Sequence, residues 1–278
     1  DYDTANIDPA EIEKKITKRT KAILPVHFAG LPCDMERIDK IAKRRGIRVI
    51  EDACHALGAE YKVNGKWIKV GACKYSDMTV FSFHPVKTIT TGEGGAITTN
   101  NKTLYEKLKA LRSHGVYKDK KALKKGPWYY EMRDLGFNYR ITDFQCALGL
   151  SQLKRIDSFI VLRKEIAEMY RKRFSKIDEI ELPTREENAK SAWHLYVARV
   201  RGDGDRQSSR NKLFSYLRKS GIGAQVHYIP VYFQPYYYKR GYKKGLCLKA
   251  EEYYKSAISL PIYPALGDKD VKLSLIHI

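Results

Sequence analysis

In residues 77–100, DMTVFSFHPVKTITTGEGGAITTN, one side chain has a setting that covalent chemistry needs, and that is Lys87. Residues 78–83 form a short β-branched and aromatic run that reads as a buried strand, and Pro85 stops it. Gly92, Gly94 and Gly95 make a turn before a second strand at 96–99. The lysine thus lies on a short, constrained loop between strands. An imine-forming lysine needs such a place, because its amine must be held at one point and partly desolvated. A solvated loop lysine, one of many in a lysine-rich chain, is the competing description. Upstream, RVIED at 48–52 ends an apolar strand with two acids. Residues just past the carboxyl ends of strands line the ligand crevice of open α/β sheets, which brings Asp52 to a ligand. A helix N-cap is the other common use of an Asp at such a turn. A strand-end acid followed 35 positions later (87 − 52) by a loop lysine suits pyridoxal phosphate (PLP). The acid pairs with the pyridinium nitrogen and the lysine carries the Schiff base.

The elements that must position these residues follow in chain order. Asp8 caps and Pro9 opens a surface helix over 7–18. Residues 22–27 (AILPVH) read as a strand, 28–33 as its loop, and 34–45 as an amphipathic helix stopped by Gly46. With the strand at 48–52 this makes a βαβ unit, which favours a parallel sheet. His27 and Asp52 then occupy equivalent strand ends. His27 either faces the same crevice or is a structural hydrogen-bonding residue. Asn64-Gly65 turns a small hairpin within 59–71. A helix over 102–112 leads to a basic loop at 118–125 (KDKKALKK) and an aromatic cluster at 127–130. Thr142 or Asp143 caps one long helix whose apolar side runs from Ala147 to Met169 and leads out of a first domain, 1–155. The remainder, 156–278, reads as a small α/β domain with strands at 194–200 and 224–228 and helices at 210–220 and 250–259. Tyr232, Tyr236, Tyr237, Tyr238 and Tyr242 suit either stacking on a uracil or sugar face or packing between domains.

Composition narrows the class. The 278 residues, 43% hydrophobic, can build real cores and argue against disorder. No apolar run approaches the ~18 residues of a membrane helix. Five scattered cysteines without a CxxC pair argue against a zinc ribbon and for a reducing compartment, the cytoplasm. Lys and Arg (52) exceed Asp and Glu (32), for a net charge of +20. That excess attracts nucleic acid or a phosphorylated small molecule. The charge is mostly spread over helix faces, and no zinc-finger or RNA-recognition pattern accompanies it, which disfavours nucleic acid.

EDACHALGAEY at 51–61, FSFHPVKTITTGEGGAITTN at 81–100 and GFNYRITDFQCALGLSQ at 136–152 closely resemble the DegT/DnrJ/EryC1/StrS family of PLP-dependent sugar aminotransferases. The likeness covers nearly the whole chain. It is greatest to the branch that aminates UDP-linked 4-keto-6-deoxy-N-acetylhexoses on the route to pseudaminic acid. The resemblance implies the α/β fold of PLP-dependent transferases, fold type I, with a mainly parallel sheet in an N-terminally truncated large domain and a small C-terminal α/β domain. It implies transamination of a UDP-linked 4-keto sugar with glutamate as donor, by a homodimer with shared active sites. A GDP- or dTDP-linked substrate, or a non-catalytic regulator on the same fold, are the alternatives.

By the same resemblance Lys87 holds the cofactor as an imine and later moves a proton. Asp52 keeps the ring nitrogen protonated. His55, where many relatives have Gln, contacts the ring or its phenolic oxygen. Ser82 binds the cofactor phosphate, and Asn138 does so from the other subunit. His227 and Tyr228 help bind the nucleotide sugar. Dehydratase relatives carry His at the position of Lys87, so this lysine favours transamination. The family pattern also expects a segment before residue 1, with a Gly-Thr-Ala loop that cradles the phosphate at a helix N-terminus and an aromatic-type residue that stacks on the ring. It expects a helix after Asp268 and Asp270, against which 272–278 read as a truncated or foreign tail.

Overall fold

Helix caps set the first elements. In a computed structural model that describes residues 1–202, 204–267 and 270, Asp8 accepts from the Ala10 amide at 2.8 Å and opens α1 (Pro9–Lys15). The helix stops short of the expected 18 because Ile16 is already extended. β1 is only Ala22–Ile23 rather than 22–27. Pro25 has no N–H to give the ladder. The chain nevertheless runs on beside the next strand, since Val26 bridges Asp52 and the His27 amide donates to Asp52 O at 3.0 Å. α2 (Met35–Arg45) starts at Asp34, which accepts from the Arg37 amide, and ends at Gly46 with φ 62°. Its buried Met35, Ile38, Ile41 and Ala42 share one face, as helical spacing requires.

β2 (Arg48–Asp52) and β5 (Met78–Ser82) flank a hairpin of β3 (Glu60–Val63) and β4 (Lys66–Lys69). That hairpin turns at Asn64 and Gly65 with φ of 49° and 78°, the positive values a two-residue type I′ turn demands. β6 (Gly95–Thr98) completes a sheet of order β1-β2-β5-β6. The first three strands are parallel and β6 is antiparallel at the edge. Asp52 pairs with Val80, so the carboxyl ends of β2 and β5 open onto the same side.

α3 (Lys102–Arg112) leads to β7 (Val116–Tyr117), α4 (Lys120–Leu123) and β8 (Glu131–Met132). The basic stretch is therefore not simply a loop. Asp119 caps a turn of helix by accepting from the Ala122 amide, and Arg133 bridges Asp119 and Glu131. The expected single long helix is two, α5 (Asp143–Leu153) and α6 (Ile156–Phe174), separated where Arg155 leaves helical geometry (φ −108°, ψ 5°). Thr142, not Asp143, is the cap, in a reciprocal box with Gln145.

Beyond them come β9 (Ile180–Glu181), β10 (Ala189–Lys190), β11 (Tyr196–Val200), α7 (Arg206–Lys219), α8 (Pro235–Tyr238), α9 (Leu248–Ser256) and β12 (Ala257–Leu260). Two expectations fail here. Residues 224–228 form no strand, only a bridge from Gln225 to Ser259. The helix at 250–259 ends at Ser256, and the following four residues are a strand paired antiparallel with β11. β12 is buried throughout, and a short apolar run buried on both sides carries no period that separates strand from helix.

Buried side chains form two clusters, one with Met35, Ile38, Val49, Tyr61 and Phe81, the other with Tyr170, Phe174, Tyr196, Leu217 and Ile258. α6 serves both: Ile160 packs on the first and Ile166 sits in the second. His27 is wholly buried in the first half, with Nε2 2.8 Å from Glu51, so it does not face the ligand side. The helix expected after Asp268 and the tail at 272–278 lie outside the described residues. Among the described residues no helix is long and apolar enough to cross a membrane.

Candidate active site

Asp52 ends β2 and is not a helix cap. No helix follows, and its Oδ1 accepts the Cys54 amide at 3.0 Å in a tight turn. Burial, and then the Asp52 carboxylate, push the Cys54 thiol up to about 12, so it stays protonated and unreactive. The loop after β5 is clamped by backbone bonds: Phe83 N to Gly94 O, Thr91 N to Phe83 O, and Lys87 N to His84 O, all 2.9–3.0 Å. Gln152 of α5 adds a bond to the Thr90 amide. Lys87 is half-buried on this loop. Burial lowers its pKa, and the nearby Cys54 and Asp52 partly offset that. A fixed, partly desolvated amine within the field of a strand-end acid is what the sequence led one to expect.

His55 is buried, and its Nδ1 has no hydrogen-bond partner among the described residues. Burial and the Lys87 charge bring its pKa down to about 4, so the ring is neutral at pH 7. It lies among aromatic rings: His194 at 4.4 Å between centroids, Phe28 at 6.1 Å, and Tyr228 at 6.3 Å with planes 24° apart. Gly30 allows this packing. Its φ is +99°, and an added Cβ would lie 2.9 Å from Trp193 N and 3.1 Å from His55 O, backbone atoms that cannot swing aside. Gly30→Ala is therefore expected to cost about 1–3 kcal/mol and to disturb both histidines. Chemical denaturation, alongside a titration of cofactor affinity, checks this.

A cleft of about 630 Å³ opens at Lys87 and is lined also by Phe159, Arg163, His194, His227 and Tyr228. No Asp or Glu lines it among the described residues. His227 and Tyr228 thus line the same cleft as Lys87. Arg163 and His194 were missed. Arg163 projects from α6, is 4% exposed, and donates from Nη1 to Trp193 O and Ile262 O. Burial lowers its pKa to about 10, which leaves it charged at neutral pH. His194 sits just ahead of β11; burial and His55 hold its pKa down to about 2, so it is neutral. The only sequence signal for either was a polar residue in an apolar run.

Asp52, His55, Ser82 and Asn138 do not line the cleft, although His55 packs against His194, which does. Ser82 is the last residue of β5, where its Oγ accepts the His84 amide at 3.3 Å. Asn138 is exposed on the loop ahead of α5 and bridges Ser113. The tyrosine-rich segment is not packed between domains. Tyr236, Tyr238 and Tyr242 are exposed, while Tyr232 donates to Glu251 at 2.7 Å.

Comparison with known proteins identifies the family. The DegT/DnrJ/EryC1/StrS aminotransferase family matches residues 1–274. Protein MJ1066 of Methanocaldococcus jannaschii, itself uncharacterised, is 47% identical over 274 residues, which is 98% of this chain and 69% of that protein. A UDP-4-amino-4,6-dideoxy-N-acetyl-beta-L-altrosamine transaminase of Campylobacter jejuni is 40% identical, over 96% of this chain and 68% of its own length. Helicobacter pylori PseC, an aminotransferase involved in the biosynthesis of pseudoaminic acid, has a TM-score of 0.88 and 34% identity over 99% of this chain and 70% of its own. The cofactor of this group is PLP. The chain therefore belongs to the DegT/DnrJ/EryC1/StrS aminotransferase family, sugar aminotransferases of PLP-dependent fold type I.

Proposed function

We propose that the protein transaminates a UDP-linked 4-keto-6-deoxy-N-acetylhexose to its 4-amino form, with glutamate as amino donor, in the making of a sugar such as pseudaminic acid. The observation that carries this is the half-buried Lys87 amine within the electrostatic field of the Asp52 carboxylate, at the rim of a cleft lined by cations and neutral imidazoles without an acid among the described residues. Such a lining suits a substrate with a diphosphate and a donor with carboxylates. The residues fit PLP: a strand-end acid for the ring nitrogen, an amine of lowered pKa for the aldehyde, and an orphaned buried Nδ1 on His55 for a polar ring substituent.

When bound, PLP supplies an electron sink that lets an amino group pass between carbon atoms. The chain's own residues do the rest. Lys87 Nζ, uncharged more often than a surface lysine, would hold the cofactor through its aldehyde and, once displaced by the donor's amine, would take a proton from the donor's α-carbon. Asp52 holds a proton on the ring nitrogen. His55 orients the ring edge, and Ser82 with Asn138 of a second copy hold the phosphate. His227 and Tyr228 bind the sugar nucleotide.

A homodimer with shared sites follows from the same reading. Leu135, Tyr139 and Phe144, around Asn138, are exposed, and α5 buries none of its residues within one chain. The chain divides into 1–155 and 156–278 in this proposal, with support from the two apolar clusters. Five free cysteines support a cytoplasmic setting. The decisive test incubates the product of the whole gene with PLP, glutamate and a panel of UDP-, GDP- and dTDP-linked 4-keto sugars. Amination of the UDP-linked member alone supports the proposal, and amination of another member instead overturns the substrate assignment.

A further inference from the structure

The His227 imidazole is anchored through one nitrogen. Nδ1 lies 2.8 Å from Ser259 Oγ, while Nε2 has no hydrogen bond among the described residues and is not among the buried atoms. Ser259 is 3% exposed in β12, and its backbone is tied to Gln225 in both directions, Gln225 N to Ser259 O at 3.0 Å and Ser259 N to Gln225 O at 2.8 Å. The backbone that carries the hydroxyl is thereby fixed in place. A serine hydroxyl has one proton to give. If Oγ accepted from an Nδ1–H, that proton would have no acceptor among the described residues, at a cost of about 1–3 kcal/mol for a buried group. The Ser259 hydroxyl therefore donates to Nδ1. Burial and the Lys87 charge lower the His227 pKa, so the ring is neutral at pH 7. A neutral ring that accepts at Nδ1 carries its proton on Nε2. Both residues line the Lys87 cleft, and no carboxylate lines it to receive that proton.

On the aminotransferase reading above, we propose that Ser259 is a positioning residue that fixes His227 as an Nε2–H donor toward an acceptor oxygen of the nucleotide-sugar substrate. Ser259 was not singled out by the sequence. Its action depends on a contact across 32 residues.

Nitrogen-15 NMR of histidine-labelled protein reads the tautomer directly, and His227→Gln assigns the resonance among the seven histidines. The wild type is expected to show the Nε2–H tautomer, Ser259→Ala a mixture, and Ser259→Thr a return to Nε2–H. Movement of the Nε2 resonance with UDP alone assigns the acceptor to the diphosphate; movement only with UDP-N-acetylglucosamine assigns it to the sugar. In kinetics, Ser259→Ala is expected to raise KM for the keto sugar about 3- to 10-fold, the worth of one neutral hydrogen bond, and to leave the glutamate half-reaction unchanged. It should add nothing in a His227→Gln background. An Nδ1–H tautomer in the wild type, additive effects of the two substitutions, or no Nε2 response to ligands that calorimetry shows to bind would overturn the proposal. Absence of transamination together with an intact Nε2–H tautomer and a UDP response would instead reject the aminotransferase reading and leave the Ser259 role standing.

Discussion

Lys87→Ala protein is expected to lose transamination by on the order of 10³-fold or more, because proton transfer by a positioned base alone is worth about 10²–10⁴-fold and the covalent anchor is lost with it. Two further readouts accompany the loss. Borohydride reduction of the PLP-loaded wild type should fix the cofactor to the peptide containing Lys87, and the variant should retain none after dialysis. Its stability should barely change, since Lys87 is only half-buried and makes no side-chain hydrogen bond or ion pair among the described residues. Turnover by Lys87→Ala at the parental rate would end the proposed chemistry. Turnover lost together with cooperative unfolding would point to a structural lysine instead.

The largest stability effect is expected one residue before the site acid. Glu51 is fully buried and accepts from His27 Nε2 at 2.8 Å, Thr79 Oγ1 at 2.9 Å and the Ser76 hydroxyl. Burial raises its pKa, but the bonds from His27, Ser76 and Thr79 outweigh this and hold it below 4.5. Burial likewise disfavours charge on His27, while its Cys33 and Glu51 contacts push its pKa up to about 9. The Cys33 amide, however, donates to His27 Nδ1 at 3.0 Å and leaves no place there for a second proton. In this geometry the ring is a neutral donor and Glu51 an ionised acceptor. Glu51→Ala strands two buried donors, on His27 and Thr79, and the half-buried Ser76 hydroxyl, and at about 1–3 kcal/mol for each buried group should cost about 3–5 kcal/mol. Urea denaturation at neutral pH measures it, and a cost below about 1 kcal/mol would contradict the network.

The pH dependence has a definite sign. Glu51 has a lower pKa folded than unfolded, so its contribution is complete above about pH 4.5 and fades as pH falls through the folded value. The wild type should therefore lose more stability between about pH 6 and pH 3 than Glu51→Gln does.

Much of the site could be read from local sequence. Lys87 lay between a strand and a glycine turn, and the structure clamps it there with backbone bonds to its neighbours. Asp34 and Gly46 bounded α2 as capping rules require. Asn64-Gly65 turned its hairpin, because only such residues accept two positive φ values in succession cheaply. These features depend on residues a few positions apart, and short-range stereochemistry decides them. Boundaries that depended on burial were misjudged, as at β12, where no periodicity exists to be read.

By itself, then, the sequence determined the chemical cast: an amine on a rigid loop, an acid at a strand end, and the blocks that mark an aminotransferase family. Tertiary structure decided which polar groups face the cleft and which face the core. Glu51 and Asp52 are adjacent and alike, yet successive side chains of a strand point to opposite faces. The pleat sends Glu51 into the interior against His27 and leaves Asp52 within the field of Lys87. The same dependence on distant partners brought in Arg163, His194, Gly30 and Ser259, whose contacts are made by residues far along the chain, where no local pattern records them.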